Sequence, residues 1–184
     1  AGVIPEGDTV DLARADVGLA KAAITQHRDM VGGIKARLST EVAGANDYEV
    51  LKRAQEVASS FNLPVMIHVG QTVSSMPRIL ALLKRGDIVT HMYAPEPNSI
   101  LDGNGRLFPE VAEARRRGIW FDVGNGRNGH LWWDIAERAM NILIVVSENL
   151  PMARRTWQRF ARRRQAAIMG PIITGISKKN SLGS

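Results

Sequence analysis

Short apolar runs alternate with stretches of helical spacing through most of this chain. Residues 8–28 carry apolar and alanine positions at helical intervals, with Asp8 or Thr9 placed to cap the start and an end near Gln26-His27-Arg28. The run from Met30 to Leu38 reads as a strand, and Gly32 and Gly33 within it allow close backbone approach. Asn46 or Asp47 then opens a helix whose apolar positions are Val50, Leu51, Ala54, Val57 and Ala58, running to about Phe61. Pro64 introduces the next strand, Val65 to Val69. Ser74 to Lys84 reads as a helix with Pro77 in its first turn, where no backbone donor is needed. Asp87 to Thr90 is a strand ending at His91, and residues 94–106 are a loop rich in Pro, Asn and Gly. Phe108 to Arg117 is a helix closed by Gly118, Ile119 to Val123 a strand, and residues 124–129 a loop. His130 to Met140 is helical, and Asn141 to Val146 is a last apolar run.

The strand starts fall near residues 31, 64, 87 and 119. Strands alternating with helices at this interval imply an α/β fold of parallel β/α units joined by right-handed crossovers. Both barrels and open sheets satisfy that rhythm. No GxGxxG or GxxxxGK[ST] follows a strand, so nucleotide-binding open sheets lose their best signature, and the GNGRNG loop fits neither. At 184 residues the chain is shorter than the roughly 250 of a whole (β/α)8 barrel, so a barrel of this kind is expected to be incomplete.

From about Pro151 the rhythm stops. All 18 acidic residues lie at or before Glu148, together with 16 of the 24 basic ones, so residues 1–148 are slightly acidic. The remaining residues carry eight Lys or Arg and no acid, and the formal charge of +6 belongs to them. The expected organisation is a partial β/α barrel over 1–148 and a basic, atypical tail over 149–184. Cysteine is absent, which excludes disulfides and thiolate metal sites and leaves the redox compartment unindicated. No run approaches the roughly 18 apolar residues of a membrane span, and the first residues lack the basic and apolar regions of a signal peptide. A cytoplasmic protein with no membrane association is the expectation.

Three residues at strand ends carry the chemistry: Lys35, His68 and His91. Strand ends converge on one face of a β/α barrel, and active sites are built there. A lone histidine at such a position is more often structural, but two on successive strands can meet at one ion. A lysine in an apolar strand costs several kcal/mol if charged and unpaired. Burial lowers its pKa and leaves a nucleophilic amine, able to form a Schiff base, act as a base or take up carbon dioxide as a carbamate. The bland alternative is a side chain snorkelling at the strand end. Arg37, two residues on and on the same face, suits either a substrate carboxylate or a structural ion pair. Asp122 reads as a strand-end residue bonded to the following loop, His27 as a helix-terminal residue, and Trp132 and Trp133 as cover for core or interface.

In order, GIKARLS, PVMIHVG, GDIVTHMY and FDVGNG resemble the amidohydrolase superfamily, in its dihydroorotase-like branch of deacetylases and amidohydrolases. The resemblance spans residues 10–140. It implies a TIM-type (β/α)8 barrel, a carboxylated Lys35 bridging two divalent metal ions with zinc the expected metal, and His68 and His91 as ligands. It further implies hydrolysis of an amide, cyclic amide or ester in a small molecule, through a hydroxide shared by the two metals. Asn125 stands where the FDVG segment of the family continues with a histidine facing substrate, and is the candidate at that position. His130, five residues on, is either a displaced substitute or the start of a helix, and the helix is the preferred reading.

Two family elements have no counterpart. The HxH pair of the first strand is missing from the sequence, and no acidic residue after Glu148 supplies the aspartate of the last strand. The chain is therefore expected to be weak or inactive alone, an internal piece of a longer enzyme whose end is altered, for example by a reading-frame change. A different class of reading gives the Arg-rich tail, with Trp157 and Phe160, to nucleic acid. A charge run is more often a solvated face, so nucleic acid is not the expected partner. A third reading is a noncatalytic barrel remnant that self-associates because its sheet edges are open.

Overall fold

A sheet of four parallel strands forms the centre of the computed structural model, which describes residues 8–124 and 130–148. The strands are β1 (Ile34–Arg37), β2 (Val65–His68), β3 (Ile88–Thr90) and β4 (Trp120–Asp122), hydrogen-bonded in that order. The expected α/β architecture of parallel β/α units is borne out. Among the described residues the sheet does not close, and β1 and β4 are its edges.

Register decides what each face carries. Arg37 pairs with His68, His68 with Thr90, and Thr90 with Asp122. One step down the ladder, Lys35 pairs with Met66, Met66 with Ile88, and Ile88 with Trp120. Side chains alternate between faces along a strand, so all these residues share one face. The other face carries Ala36, Val65, Ile67 and Val89, all buried, the last three at 2%, 0% and 0% exposure. That second face is apolar while the first is chemically mixed, and among the described residues the helix over Asp47–Ser60 packs on β1 and β2.

α3 (Asp47–Ser60) packs on β1 and β2 through Val50, Leu51, Ala54, Val57 and Ala58, as the periodicity predicts. Leu51 is fully buried, and truncating such a leucine to alanine costs about 2–5 kcal/mol. α1 (Val17–Gln26) packs on α3, and α4 (Met76–Leu82) packs on α5 (Pro109–Arg117). Pro77 lies in the first turn of α4 as expected. Gly118 ends α5 at φ 89°, a left-handed conformation that glycine enters without strain.

Several boundaries differ from the sequence reading for local reasons. Residues 8–28 do not form one helix: a 3-10 turn over Leu12–Arg14 precedes α1, and Asp16 is its N-cap, accepting from the Leu19 N–H at 2.8 Å. Asp11 likewise accepts from the Ala13 N–H, so two acidic residues each start an element where one long helix was expected. A short helix, α2 (Thr40–Ala43), occupies the turn after β1. The last helix, α6 (Trp133–Glu148), begins three residues later than expected and continues through the apolar run from Asn141.

Two buried aspartates tie the loops to the sheet. Asp87, 4% exposed, accepts hydrogen bonds from the Val65 and Lys84 N–H groups, both at 2.8 Å, and so pins the entry of β2 beside that of β3. Asp47, 3% exposed, accepts from the N–H groups of Tyr48 and Ser74 and fixes the segment after β2. The structure groups the chain into a compact unit ending at Ala139 and a second from Met140 onward. The basic tail and Asn125 lie outside the described residues.

Candidate metal centre at the strand ends

Parallel strands deliver their last residues to one end of the sheet. His68 is the final residue of β2, and His91 follows β3 directly. Their rings meet edge to face with centroids 4.5 Å apart. His130, in the segment between β4 and α6, joins them: its ring stacks on His91 at 4.1 Å and 27°, and meets His68 edge to face at 5.1 Å. One donor nitrogen from each ring lies within 4.8 Å of the other two. The preference for His130 as the start of a helix is thereby corrected. It lies ahead of α6, and the chain there turns toward His91, with the Trp132 N–H donating to the Tyr93 carbonyl at 3.2 Å.

Backbone conformation aims these rings. His91 has φ 69°, in the left-handed region that a side-chain-bearing residue enters only at a cost of about 1–3 kcal/mol when its surroundings enforce it. One enforcing contact is between His91 Nδ1 and the carbonyl of Gly124. With the proton on Nδ1 donated to that carbonyl, Nε2 keeps its lone pair, the arrangement typical of a histidine that ligates metal. Gly124, at φ 46°, has no room for a side chain: an added Cβ would overlap Thr90 Oγ1 and come within 2.9 Å of His91 Nδ1.

The electrostatics favour the neutral forms of His68 and His91. Burial pushes the His68 pKa down to about 3, with help from charge on His91, His130, Lys35 and Arg37. His91 is lowered first by burial, then by His130 and Lys35, while its contact to Gly124 and the charge of Asp122 oppose the shift. A neutral imidazole is the form that binds a cation.

Lys35 lies on the same face but is exposed, because the sheet is open there. Its pKa is nevertheless lowered: desolvation around the amine leads and Arg37 adds to it, while Asp122 opposes. The expectation of a lysine sealed in an apolar strand is corrected to one that is open overall with a partly desolvated amine. Arg37 takes the structural alternative, with Nη1 donating to Asp8 Oδ2 at 2.9 Å. Asp122 accepts from the Thr90 hydroxyl at 2.6 Å on the neighbouring strand, and most of the loop it was expected to bond lies outside the described residues. His27 is the C-cap of α1, as expected. Trp132 and Trp133 are about half exposed, at 49% and 50%, which leaves the interface reading and not the core one.

The donor set suits one ion. Zinc bound to histidine nitrogens at about 2.0–2.1 Å wants those nitrogens roughly 3.3–3.5 Å apart, so the three rings need only a modest contraction. His130 Nδ1 is buried without a hydrogen-bond partner, an orphaned lone pair or donor at the edge of the cluster. Sequence reasoning underweighted this residue. The available signal was that three of the four histidines of the chain lie at or after the ends of successive strands: His68 ends β2, His91 follows β3 and His130 comes after β4.

Comparison with known proteins agrees with the family resemblance of the sequence. No protein-family model matches the chain. A deacetylase of Enterococcus faecalis is 29% identical over 184 residues, covering 99% of this chain and 48% of that protein. A deacetylase of Brucella anthropi is 30% identical over 105 residues, 57% of this chain and 25% of the relative. Among solved structures, an adenine deaminase matches with a TM-score of 0.71 and 32% identity, over 76% of this chain and 38% of its own. A dihydroorotase matches with a TM-score of 0.66 and 25% identity, over 73% and 35%. The resemblance to the amidohydrolase superfamily, in its dihydroorotase-like and deacetylase branch, is thus borne out, and the four strands are an unclosed portion of its β/α barrel. The chain spans about half the length of the Enterococcus relative and less of the others. No helix among the described residues is long and apolar enough to cross a membrane.

Proposed function

We propose that the protein is a metal-dependent hydrolase of an amide, cyclic amide or ester bond in a small molecule, and that this chain contributes one wall of its metal centre. The observation that carries the reading is the edge-to-face meeting of His68 and His91 at the ends of adjacent parallel strands, on the face that also bears Lys35. Relatives named deacetylase, and structural neighbours that are an adenine deaminase and a dihydroorotase, support hydrolysis at carbon–nitrogen or related bonds.

A divalent ion at this position supplies Lewis acidity, lowering the pKa of a water and polarising a carbonyl. The residues of the chain do the rest. His68 and His91, held neutral, present nitrogen ligands, and the Gly124 carbonyl fixes which nitrogen of His91 is free. Lys35, with a lowered pKa, has a reactive amine fraction, and a carbamate formed on it would offer two oxygens toward the same end. Asp122 moderates that amine and occupies the Thr90 hydroxyl. Arg37 has guanidinium donors beyond the one engaged by Asp8, and these suit a substrate carboxylate. Asn125 completes the substrate side of the proposal from sequence alone. With neither an HxH pair nor a late aspartate in its sequence, the 184-residue chain lacks a proton shuttle and has weak activity or none.

Metal analysis of the purified chain after zinc loading tests the reading, beside Lys35→Ala and His68→Ala variants and a carbon-13 bicarbonate label to detect carbamate. Bound zinc that falls in the His68 variant, with a labelled Lys35, is expected. A wild type that stays metal-free with an unmodified lysine refutes it.

A further inference from the structure

Resting on the reading of a metal-binding strand end, we propose that His130 is a metal ligand in its own right. It closes a three-histidine site with His68 and His91 that holds a single divalent ion of the zinc type without Lys35. Four observations converge on it. The three rings are mutually adjacent, with centroids 4.1, 4.5 and 5.1 Å apart, and their donor atoms form one cluster. Each comes from a different β/α unit, so the site is built by the parallel sheet and not by a local sequence motif.

The third observation is the orphaned Nδ1 of His130. A buried polar atom with no partner is costly, and an ion held at Nδ1 would give that atom the partner it lacks. The fourth is how the chain delivers the ring. The segment carrying His130 is tied by Trp132 N–H to the carbonyl of Tyr93, two residues past His91, and the following helix docks through Ala136 and Ala139, at 4% and 0% exposure. The histidine from the loop and the histidine from β3 are therefore held to each other by backbone.

The chemistry of the donors selects the ion. Three imidazole nitrogens favour zinc, cobalt, nickel or copper over magnesium or calcium, which prefer oxygen. Three protein ligands with a fourth position open is the arrangement of a catalytic rather than a structural zinc. Among the described residues no carboxylate joins the cluster as a donor, while Asp122 stands close enough for its charge to act on His91.

The experiment uses the full 184-residue chain and its natural control, His27, which caps α1 away from the cluster. Zinc is titrated into nitrogen-15-labelled protein, and the ring nitrogens of the four histidines are followed by long-range proton–nitrogen spectra, with stoichiometry from equilibrium dialysis. One ion per chain is expected. Resonances of His68, His91 and His130 should shift to metal-bound values while His27 stays unchanged. Lys35→Ala should retain the ion, and His130→Asn should weaken binding by more than about tenfold, the scale on which even the outer partners of a metal ligand act. The wild-type spectra decide the matter if His130→Asn folds poorly. An ion bound with His68 and His91 shifted but His130 unmoved overturns the inference while leaving the proposed function standing. Two ions per chain, or loss of the ion in Lys35→Ala, also overturns it. Absence of any bound ion removes both.

Discussion

Asp87 offers a sharp test of what holds the site's strands in place. Its carboxylate accepts from Val65 N–H and Lys84 N–H at 2.8 Å each, at a position 4% exposed, and Val65 itself is 2% exposed. Asp87→Ala leaves both donors without a partner. A buried donor stranded in this way costs about 1–3 kcal/mol, and Lys84 is open enough for water to replace part of its bond, so the loss should be about 2–4 kcal/mol. Asp87→Asn keeps one acceptor but turns an NH2 group toward the other donor, and should cost about 1–3 kcal/mol. The control is Asp102, which also accepts two backbone hydrogen bonds, from Asn104 and Arg106 at 2.9 Å, but in an exposed turn. If burial sets the penalty, Asp102→Ala costs less than about 1 kcal/mol, because water takes over both donors. Urea unfolding followed by far-ultraviolet circular dichroism measures all three differences. Equal losses in Asp87→Ala and Asp102→Ala would refute the reasoning, since bond count and not desolvation would then govern the effect.

Three further outcomes follow from the same geometry. Gly124→Ala places a Cβ against Thr90 and His91 Nδ1 at a left-handed φ, so the urea midpoint should fall and zinc affinity measured by calorimetry on the folded variant should drop more than tenfold, on the scale of a lost partner to a metal ligand; unchanged affinity would count against the Gly124 contact as the device that orients His91. In metal-free protein, His68 binds its proton in the unfolded chain near pH 6.5 but in the folded chain only near 3, so its contribution to stability is complete above the unfolded value and is lost as the pH falls. Between neutral pH and about pH 5 that loss should reach about 2 kcal/mol, read as the extra acid sensitivity of wild type over His68→Asn, and parallel pH profiles would contradict it. Trp120, 69% exposed on the edge strand, should drive concentration-dependent self-association that Trp120→Lys suppresses in sedimentation velocity; a wild type that sediments identically at all concentrations would remove the edge as a sticky surface.

How much of this was legible beforehand depended on the kind of signal. The four strands were visible because parallel strands covered by helices are short apolar runs, and their order followed from the β/α rhythm. His68 and His91 were visible because a strand's last residue is fixed by the strand itself. His130 was not, since its position depends on a hydrogen bond from Trp132 to Tyr93, a contact between segments far apart in sequence. The break between the 3-10 turn and α1 was hidden for a different reason: helical spacing ran through it, and the capping carboxylates of Asp11 and Asp16 fall inside that stretch. The exposure of Lys35 was misjudged because apolar neighbours in sequence, such as Ile34 and Ala36, face the helices and not the lysine.

The alternation of faces has a consequence for how such a protein can change. The residues that hold the sheet to its helices, Ala36, Val65, Ile67 and Val89, are not the ones that meet a ligand, although they interleave with them along the same strands. A substitution at Lys35, Arg37 or Asp122 alters charge, ligand set or reactivity while removing almost nothing from the apolar interior. Chemistry can therefore drift, decay or be rebuilt on this scaffold with little effect on whether it folds. A histidine recruited from a neighbouring loop is the kind of innovation such an arrangement permits.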